Sequence, residues 1–218
     1  MSLKKEIVET CHRVYNQGLL AAYDGNLSVR IDDEKILITR SAVNKGSVTE
    51  KDILIIDNNG NLIEGKGKVT TEVKLHLKIY NCRKDINSVI HCHPLYSTAI
   101  ASTREKFPNN IFPEVILTMG EIPICKYATP STNGLAESLD PYIDYANVFL
   151  LSNHGAVTTG KTLETAYYRM EKLEHISKTI CIAESMGNLK KLSKENLNEI
   201  YSIAKETYGI EISEKIRQ

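Results

Sequence analysis

The 218-residue sequence predicts an α/β domain in which helices pack on a largely antiparallel sheet. Three observations carry that expectation. Short runs rich in β-branched residues are joined by turn signals, and apolar residues recur at helical spacing near both ends of the chain. No repeat, low-complexity tract or Pro/Gly linker divides the sequence, so residues 1–218 are expected to form a single domain.

Taken in order, Leu3, Ile7, Val8, Cys11, Val14 and Tyr15 mark one face of a helix that Gly18 stops. Leu27–Ile31, Lys35–Thr39 and Ile53–Ile56 read as strands, and Asp57-Asn-Asn-Gly60 turns the last of them into Asn61-Leu-Ile. From Thr71 to Cys82 the apolar positions fit a strand or a buried helix, and the length favours helix. Ser88–His93 is a strand, and Pro94 opens the next helix. Two strands are expected near Val115–Thr118 and Ile122–Lys126, then a helix from about Ser131, then a strand at Asn147–Leu151. Thr162 can cap a long helix with Glu164 in its first turn and Gly187 at its end, and a final helix runs from Ser193 to Tyr208.

Composition excludes several classes. Lys+Arg and Asp+Glu are equal at 27 each, so no net charge draws the chain to nucleic acid or anionic lipid. With 42% hydrophobic and 25% charged residues, disorder is not the main state. No window approaches the roughly 18 apolar residues of a membrane span, and the N-terminal residues lack an apolar signal core. The expectation is a cytoplasmic protein with no membrane or nucleic-acid partner. Five cysteines without a Cys-x-x-Cys pair point to reduced, mostly buried thiols rather than to disulfides or a zinc knuckle.

Chemistry concentrates around histidine. In His91-Cys92-His93 the strand period of two puts both imidazoles on one face and turns Cys92 into the core. His154 follows a second apolar strand in Ser152-Asn-His-Gly155, where Gly155 lets backbone come close. Three His with an open fourth position is the pattern of a catalytic zinc site. His12 and His175 read as surface or packing residues, whereas Glu72 and His76, four apart on one helix face, form a competing metal pair. Thr70-Thr71-Glu72 at a helix start offers hydroxyls and free amides to an anion, and Asp24-Gly-Asn-Leu-Ser28 and Thr39-Arg-Ser-Ala42 are further donor-rich turns.

Together these motifs resemble the class II aldolase/adducin-head family, whose members include L-fuculose-phosphate aldolase and L-ribulose-5-phosphate 4-epimerase. The resemblance runs from Gly25-Asn26 to Tyr208-Gly209. Gly25-Asn26-Leu27-Ser28, Ile38-Thr39-Arg40-Ser41-Ala42 and Thr70-Thr71-Glu72 look like the family's phosphate motifs, and His91-Cys92-His93-Pro94 and Asn153-His154-Gly155 like its metal motifs. The resemblance implies a three-layer α/β/α sandwich and one Zn²⁺ per subunit on His91, His93 and His154, with Glu72 in the fourth position until substrate displaces it. It further implies phosphate binding by Gly25, Asn26, Thr39, Ser41, Ala42, Thr70 and Thr71. A homotetramer with active sites at subunit boundaries is implied too, Tyr208 being offered to a neighbouring subunit's site. The implied activity is aldol cleavage of a ketose 1-phosphate, of the L-fuculose or 5-deoxy-pentulose type, to dihydroxyacetone phosphate and an aldehyde, with Glu72 as the base.

Two positions depart from the family. Ala42 stands where the phosphate turn usually has Gly, and beside it Arg40 either lends charge to the phosphate or faces solvent. Glu114 falls where fuculose-phosphate aldolase carries a Tyr, the epimerases Asp and the methylthioribulose-phosphate dehydratases Glu, so Glu114 is a third candidate catalytic residue. The alternatives are therefore the epimerase, the dehydratase and, without catalysis, an adducin-like interaction module, which predicts loss of the zinc ligands.

Overall fold

A computed structural model describes residues 2–210, the Tyr208 side chain excepted. Helix α1 (Leu3–Asn16) leads into strands β1 (Asn26–Arg30), β2 (Lys35–Thr39), β3 (Ile53–Asp57) and β4 (Leu62–Glu64). Then come α2 (Val73–Cys82), β5 (Ser88–Cys92), α3 (Leu95–Thr103), α4 (Pro113–Met119), β6 (Ile124–Cys125) and α5 (Asn133–Glu137). The remainder is β7 (Val148–Leu151), β8 (Gly155–Gly160), α6 (Leu163–Met186) and α7 (Lys194–Tyr208). The strands lie in one sheet, ordered β4-β3-β2-β1-β5-β8-β7-β6. It is antiparallel except where β6 joins β7.

Alternation along the strands builds two cores. On one face Leu27, Val29, Leu37, Ile90, Cys92 and Ala156 pack with Ile7, Cys11 and Val14 of α1 and with Tyr167, Met170 and Leu173 of α6. On the other, Ile36, Ile38, Leu54, Val89, Phe149 and Val157 pack with Leu75, Ile79 and Tyr80 of α2 and Leu135 of α5. The result is the expected three-layer α/β/α sandwich. The predicted cap of the long helix is present, Thr162 Oγ1 accepting from Thr165 N–H at 3.1 Å, and Ser193 Oγ caps α7 by accepting from Asn196 N–H at 3.2 Å. Among the described residues no helix is long and apolar enough to cross a membrane.

One predicted strand is a helix. Residues 115–118, expected as a strand from their β-branched run, belong to α4, which Pro113 opens at its first positions and Gly120 ends at φ +74°. Val115, Ile116 and Met119 are buried on one side, and Ile116 packs on Ala204 of α7. The proline at the helix start outweighs the β propensity of the residues after it. The strand expected at Ile122–Lys126 shrinks to β6, and the helix expected from Ser131 is the short α5. Cys11, Cys92 and Cys125 are buried, Cys181 is half-buried and Cys82 is exposed.

Ala42 adopts φ +54°, the left-handed region that the family's glycine enters freely. An L side chain there costs about 1–2 kcal/mol, against roughly 0.5–1 kcal/mol for the extra freedom a glycine brings to the unfolded chain. Ala42→Gly is expected to leave stability unchanged or raise it by up to about 1 kcal/mol in urea unfolding; a loss would show that the methyl group packs.

Candidate metal centre and its neighbouring turns

The sheet assembles the site at its middle. Asn26 on β1 lies opposite His91 on β5, and His91 opposite Val157 on β8. β7 reaches β8 through Ser152-Asn153-His154, with Asn153 at φ +54°, a conformation asparagine tolerates, and His154 N–H bonded to Leu151 O at 3.1 Å. This hairpin swings His154 over the strand end that carries His91 and His93, and the three ring centroids stand 4.8 to 4.9 Å apart. Gly155 is required there, because a Cβ would sit 2.5 Å from Cys92 O and 2.7 Å from His93 Cδ2. The chain leaving His93 is fixed by Glu174 of α6, whose carboxylate accepts from Tyr96 and Ser97 N–H, both at 2.9 Å, and so caps α3.

Proton positions follow from the partners. A carbonyl can only accept, so His91 Nδ1 donates to Ala156 O at 2.9 Å. Burial holds the His91 and His93 imidazoles below their ordinary pKa, hence neutral, and His91 Nε2 is a bare lone pair. That lone pair faces His93 Nε2 at 3.1 Å and Glu72 Oε2 at 3.3 Å, while Glu72 Oε1 stands 3.2 Å from His154 Nε2. Burial pushes the Glu72 carboxyl up, but the imidazoles of His91 and His154 and the Asn26 amide outweigh it and hold the group well below the usual carboxylate range. Candidate ligand atoms thus crowd one point. Tetrahedral bonds of about 2.0–2.1 Å give donor–donor edges of about 3.3 Å, so the observed separations fit one divalent cation held by the three Nε2 atoms and Glu72. The cluster of His91, His93 and His154 is a site that could hold a metal ion.

A buried ladder aims Glu72. Asn26, Ser28 and Arg30 alternate on one face of β1, and Glu72, His76 and Tyr80 recur every fourth residue along α2 and its cap. Ser28 Oγ is 2.8 Å from Tyr80 Oη and 2.6 Å from His76 Nδ1. His76 Nε2 is 2.5 Å from Asn26 Oδ1, and Asn26 Nδ2 donates to Glu72 Oε2 at 2.8 Å. An amide oxygen only accepts, so His76 must donate from Nε2 and accept at Nδ1, and every bond after Tyr80 points toward Glu72. Glu72 and His76 share a helix face, as the spacing indicated, yet His76 turns to β1 and is no competing ligand. Sequence reasoning missed Ser28, Tyr80 and the orienting role of His76, although the matched periods of two and four carried the signal.

The donor-rich turns gather beside this centre. Arg40 bridges Val69, and Ser41 N–H donates to Lys68 O at 2.8 Å, which sets the turn after β2 against the approach to Thr70 and Thr71. Thr39 Oγ1 accepts from Leu27 N–H at 3.2 Å, Asn26 is engaged in the ladder, and Thr71 Oγ1 accepts from Ser131 at 2.7 Å. Arg40 is half-buried, with its Nε paired with Asp52 at 2.6 Å. Glu114 is exposed on α4, and no hydrogen bond or ion pair among the described residues joins it to the imidazoles. The Tyr208 side chain lies outside the described residues. His12 bonds Val48 O at 3.0 Å and His175 is exposed, as expected of packing and surface residues.

Comparisons with known proteins agree with this geometry. The model of the class II aldolase and adducin N-terminal domain matches residues 5–181. An L-fuculose phosphate aldolase of Methanococcus maripaludis is 36% identical over 185 residues, covering 85% of this chain and 98% of its own. A 3-oxo-tetronate 4-phosphate decarboxylase of Haemophilus influenzae is 30% identical over 182 residues, covering 82% of this chain and 86% of its own. Among solved structures, an L-fuculose 1-phosphate aldolase superposes with a TM-score of 0.83 at 29% identity, covering 91% of this chain and 93% of that one. With its sheet, its converging imidazoles and its motifs in the family's order, this chain belongs to the class II aldolase and adducin N-terminal domain family.

Proposed function

We propose that this enzyme is a zinc-dependent aldolase that cleaves a ketose 1-phosphate, of the L-fuculose or 5-deoxy-pentulose type, to dihydroxyacetone phosphate and an aldehyde. The observation that carries this reading is the meeting of three imidazoles and one carboxylate at a single point, flanked by hydroxyl- and amide-rich turns. His91, His93 and His154 would hold the ion, with Glu72 as fourth ligand in the resting site. A bound divalent cation supplies Lewis acidity that stabilises negative charge developing on substrate oxygens.

The chain's own groups account for the rest. Cleavage between C3 and C4 moves the bonding electron pair to C3 and, in net terms, a proton from the C4 hydroxyl to C3. Glu72 serves the C3 end, its Oε2 held by the Asn26 amide, so the ladder sets the reach of the base. Ser41, Thr71 and the backbone of Gly25 and Ala42 bind the phosphate, with Thr39, Thr70 and the Asn26 side chain holding those turns in shape. The α4–α7 pair carries Glu114 and Tyr208; in this reading these two handle the C4 hydroxyl proton across a boundary in a homotetramer. A second reading is decarboxylation of a 3-oxo acid phosphate, favoured by the similarity to the H. influenzae decarboxylase. Loss of CO₂ leaves the same kind of charge beside a carbonyl.

Zinc-loaded protein incubated with dihydroxyacetone phosphate and an aldehyde panel is expected to consume both. Carbon dioxide release from 3-oxo-tetronate 4-phosphate without any condensation would transfer the assignment to the decarboxylase. Glu72→Gln keeps the side chain's shape and all three imidazoles; kcat should fall by about 10²- to 10⁴-fold with zinc content, read by metal analysis, kept. Burial pushes the His76 imidazole down to about 4 from an ordinary 6.5, with Glu72 pulling weakly the other way. The unfolded chain therefore binds the extra proton between those values, and stability declines as pH drops from 6.5 toward 4, by about 3 kcal/mol for this one group. Urea unfolding in chelator should show that decline, and His76→Gln should make it shallower, the buried His91 and His93 keeping the remainder; equal slopes would mean that His76 is charged when folded.

A further inference from the structure

Lys45 carries its charge where charge is costly. The residue is 1% exposed, and its Nζ donates to Val43 O at 2.9 Å and Tyr23 O at 3.3 Å. Among the described residues no carboxylate stands within ion-pair distance of it. Asp24, the acid that faces it, is turned to His93 Nδ1 at 3.4 Å. Its other ionisable neighbours are the Cys11 and Cys92 thiols, which burial pushes up and keeps protonated, and the Arg40 guanidinium, which Asp52 already matches. An ammonium removed from water and given only two carbonyl dipoles is incompletely compensated.

The two carbonyls explain the placement. Tyr23 immediately precedes Asp24-Gly25-Asn26, and Val43 immediately follows Ser41-Ala42. One buried cation therefore ties together two turns that are not adjacent in sequence, on the side of each turn that faces the core. Both turns belong to the phosphate site assigned above, so the group that completes the charge balance is the substrate's own anion.

We propose that Lys45 is a positioning residue of the phosphate subsite, a buried counter-charge that clamps the Gly25 and Ala42 turns together and raises the affinity for a phosphomonoester; this rests on the phosphate reading above. Its field acts from within the fold, where salt screens it little, and its hydrogen bonds set the spacing of the turn amides. Isothermal titration of the zinc-loaded enzyme with glycerol 1-phosphate, and with glycerol as the control without phosphate, tests this directly. The wild type is expected to bind the phosphate ester far more tightly than glycerol, and Lys45→Met at least tenfold more weakly than the wild type. Because the variant sheds a buried charge, its melting temperature without ligand should not fall.

Lys45→Met binding within twofold of the wild type overturns the proposal while leaving the phosphate site in place. A lowered melting temperature with the affinity of the folded protein intact also overturns it, since that is the mark of a merely structural lysine. Wild-type enzyme that does not distinguish glycerol 1-phosphate from glycerol, or a Ser41→Ala Thr71→Ala double variant that binds the ester normally, removes the phosphate reading and the proposal with it. Should Lys45→Met fail to fold, the Lys45 Nζ resonance of the wild type decides. A shift that saturates with the ester's own affinity supports the proposal, and an unmoved resonance overturns it.

Discussion

Electrostatic crowding at one point governs this molecule. The Glu72 carboxylate and the three imidazoles have nearest separations of 3.1 to 3.3 Å, and no single stretch of sequence brings all four together. The surrounding fold must impose the arrangement, and it does so with rigid parts. Neighbouring strands β1, β5 and β8 fix the backbone, the Ala156 carbonyl sets the tautomer of His91, and Glu174 pins the helix that departs from His93. The β1–α2 ladder then holds Glu72 against the imidazoles through uncharged groups, its last bond running from the Asn26 amide to the carboxylate. Such pre-organisation fixes the candidate ligand atoms before any ligand arrives.

The same division of roles recurs in the turns around the centre. Thr39 and Asn26, polar groups that could have faced a ligand, are bonded within the fold instead, Thr39 to the Leu27 backbone and Asn26 to the Glu72, Thr70 and His76 side chains. Arg40 is paired with Asp52, and the Lys45 ammonium lies buried beneath the turns, bonded to their carbonyls. A positive group that cannot reach solvent cannot collapse onto the wrong partner either.

Much of this is legible in the sequence alone. The His-x-His strand, the Asn-His-Gly hairpin and Glu72 at a helix start are visible as spacing, and strand alternation correctly sends Cys92 inward. What escapes is whatever depends on two elements meeting. His76 reads as a possible ligand, Ser28 as part of an anion-binding turn and Tyr80 as an ordinary residue until β1 is laid beside α2, and Lys45 is one lysine among many until its burial is known. The misread strand at residues 115–118 fails for a different reason. Its β-branched residues state a local preference, and contact with α7 together with the proline at the helix start overrules it.

The donors of the centre are drawn from residues 72, 91, 93 and 154, and of these only His91 and His93 are close along the chain. An unfolded or half-folded polypeptide can therefore offer a metal no more than one local pair. Any free energy gained on capturing the ion stabilises the completed sheet as a whole, including strands that never touch the metal. An ion held by these residues would therefore close over a topology whose most distant pairings have already formed.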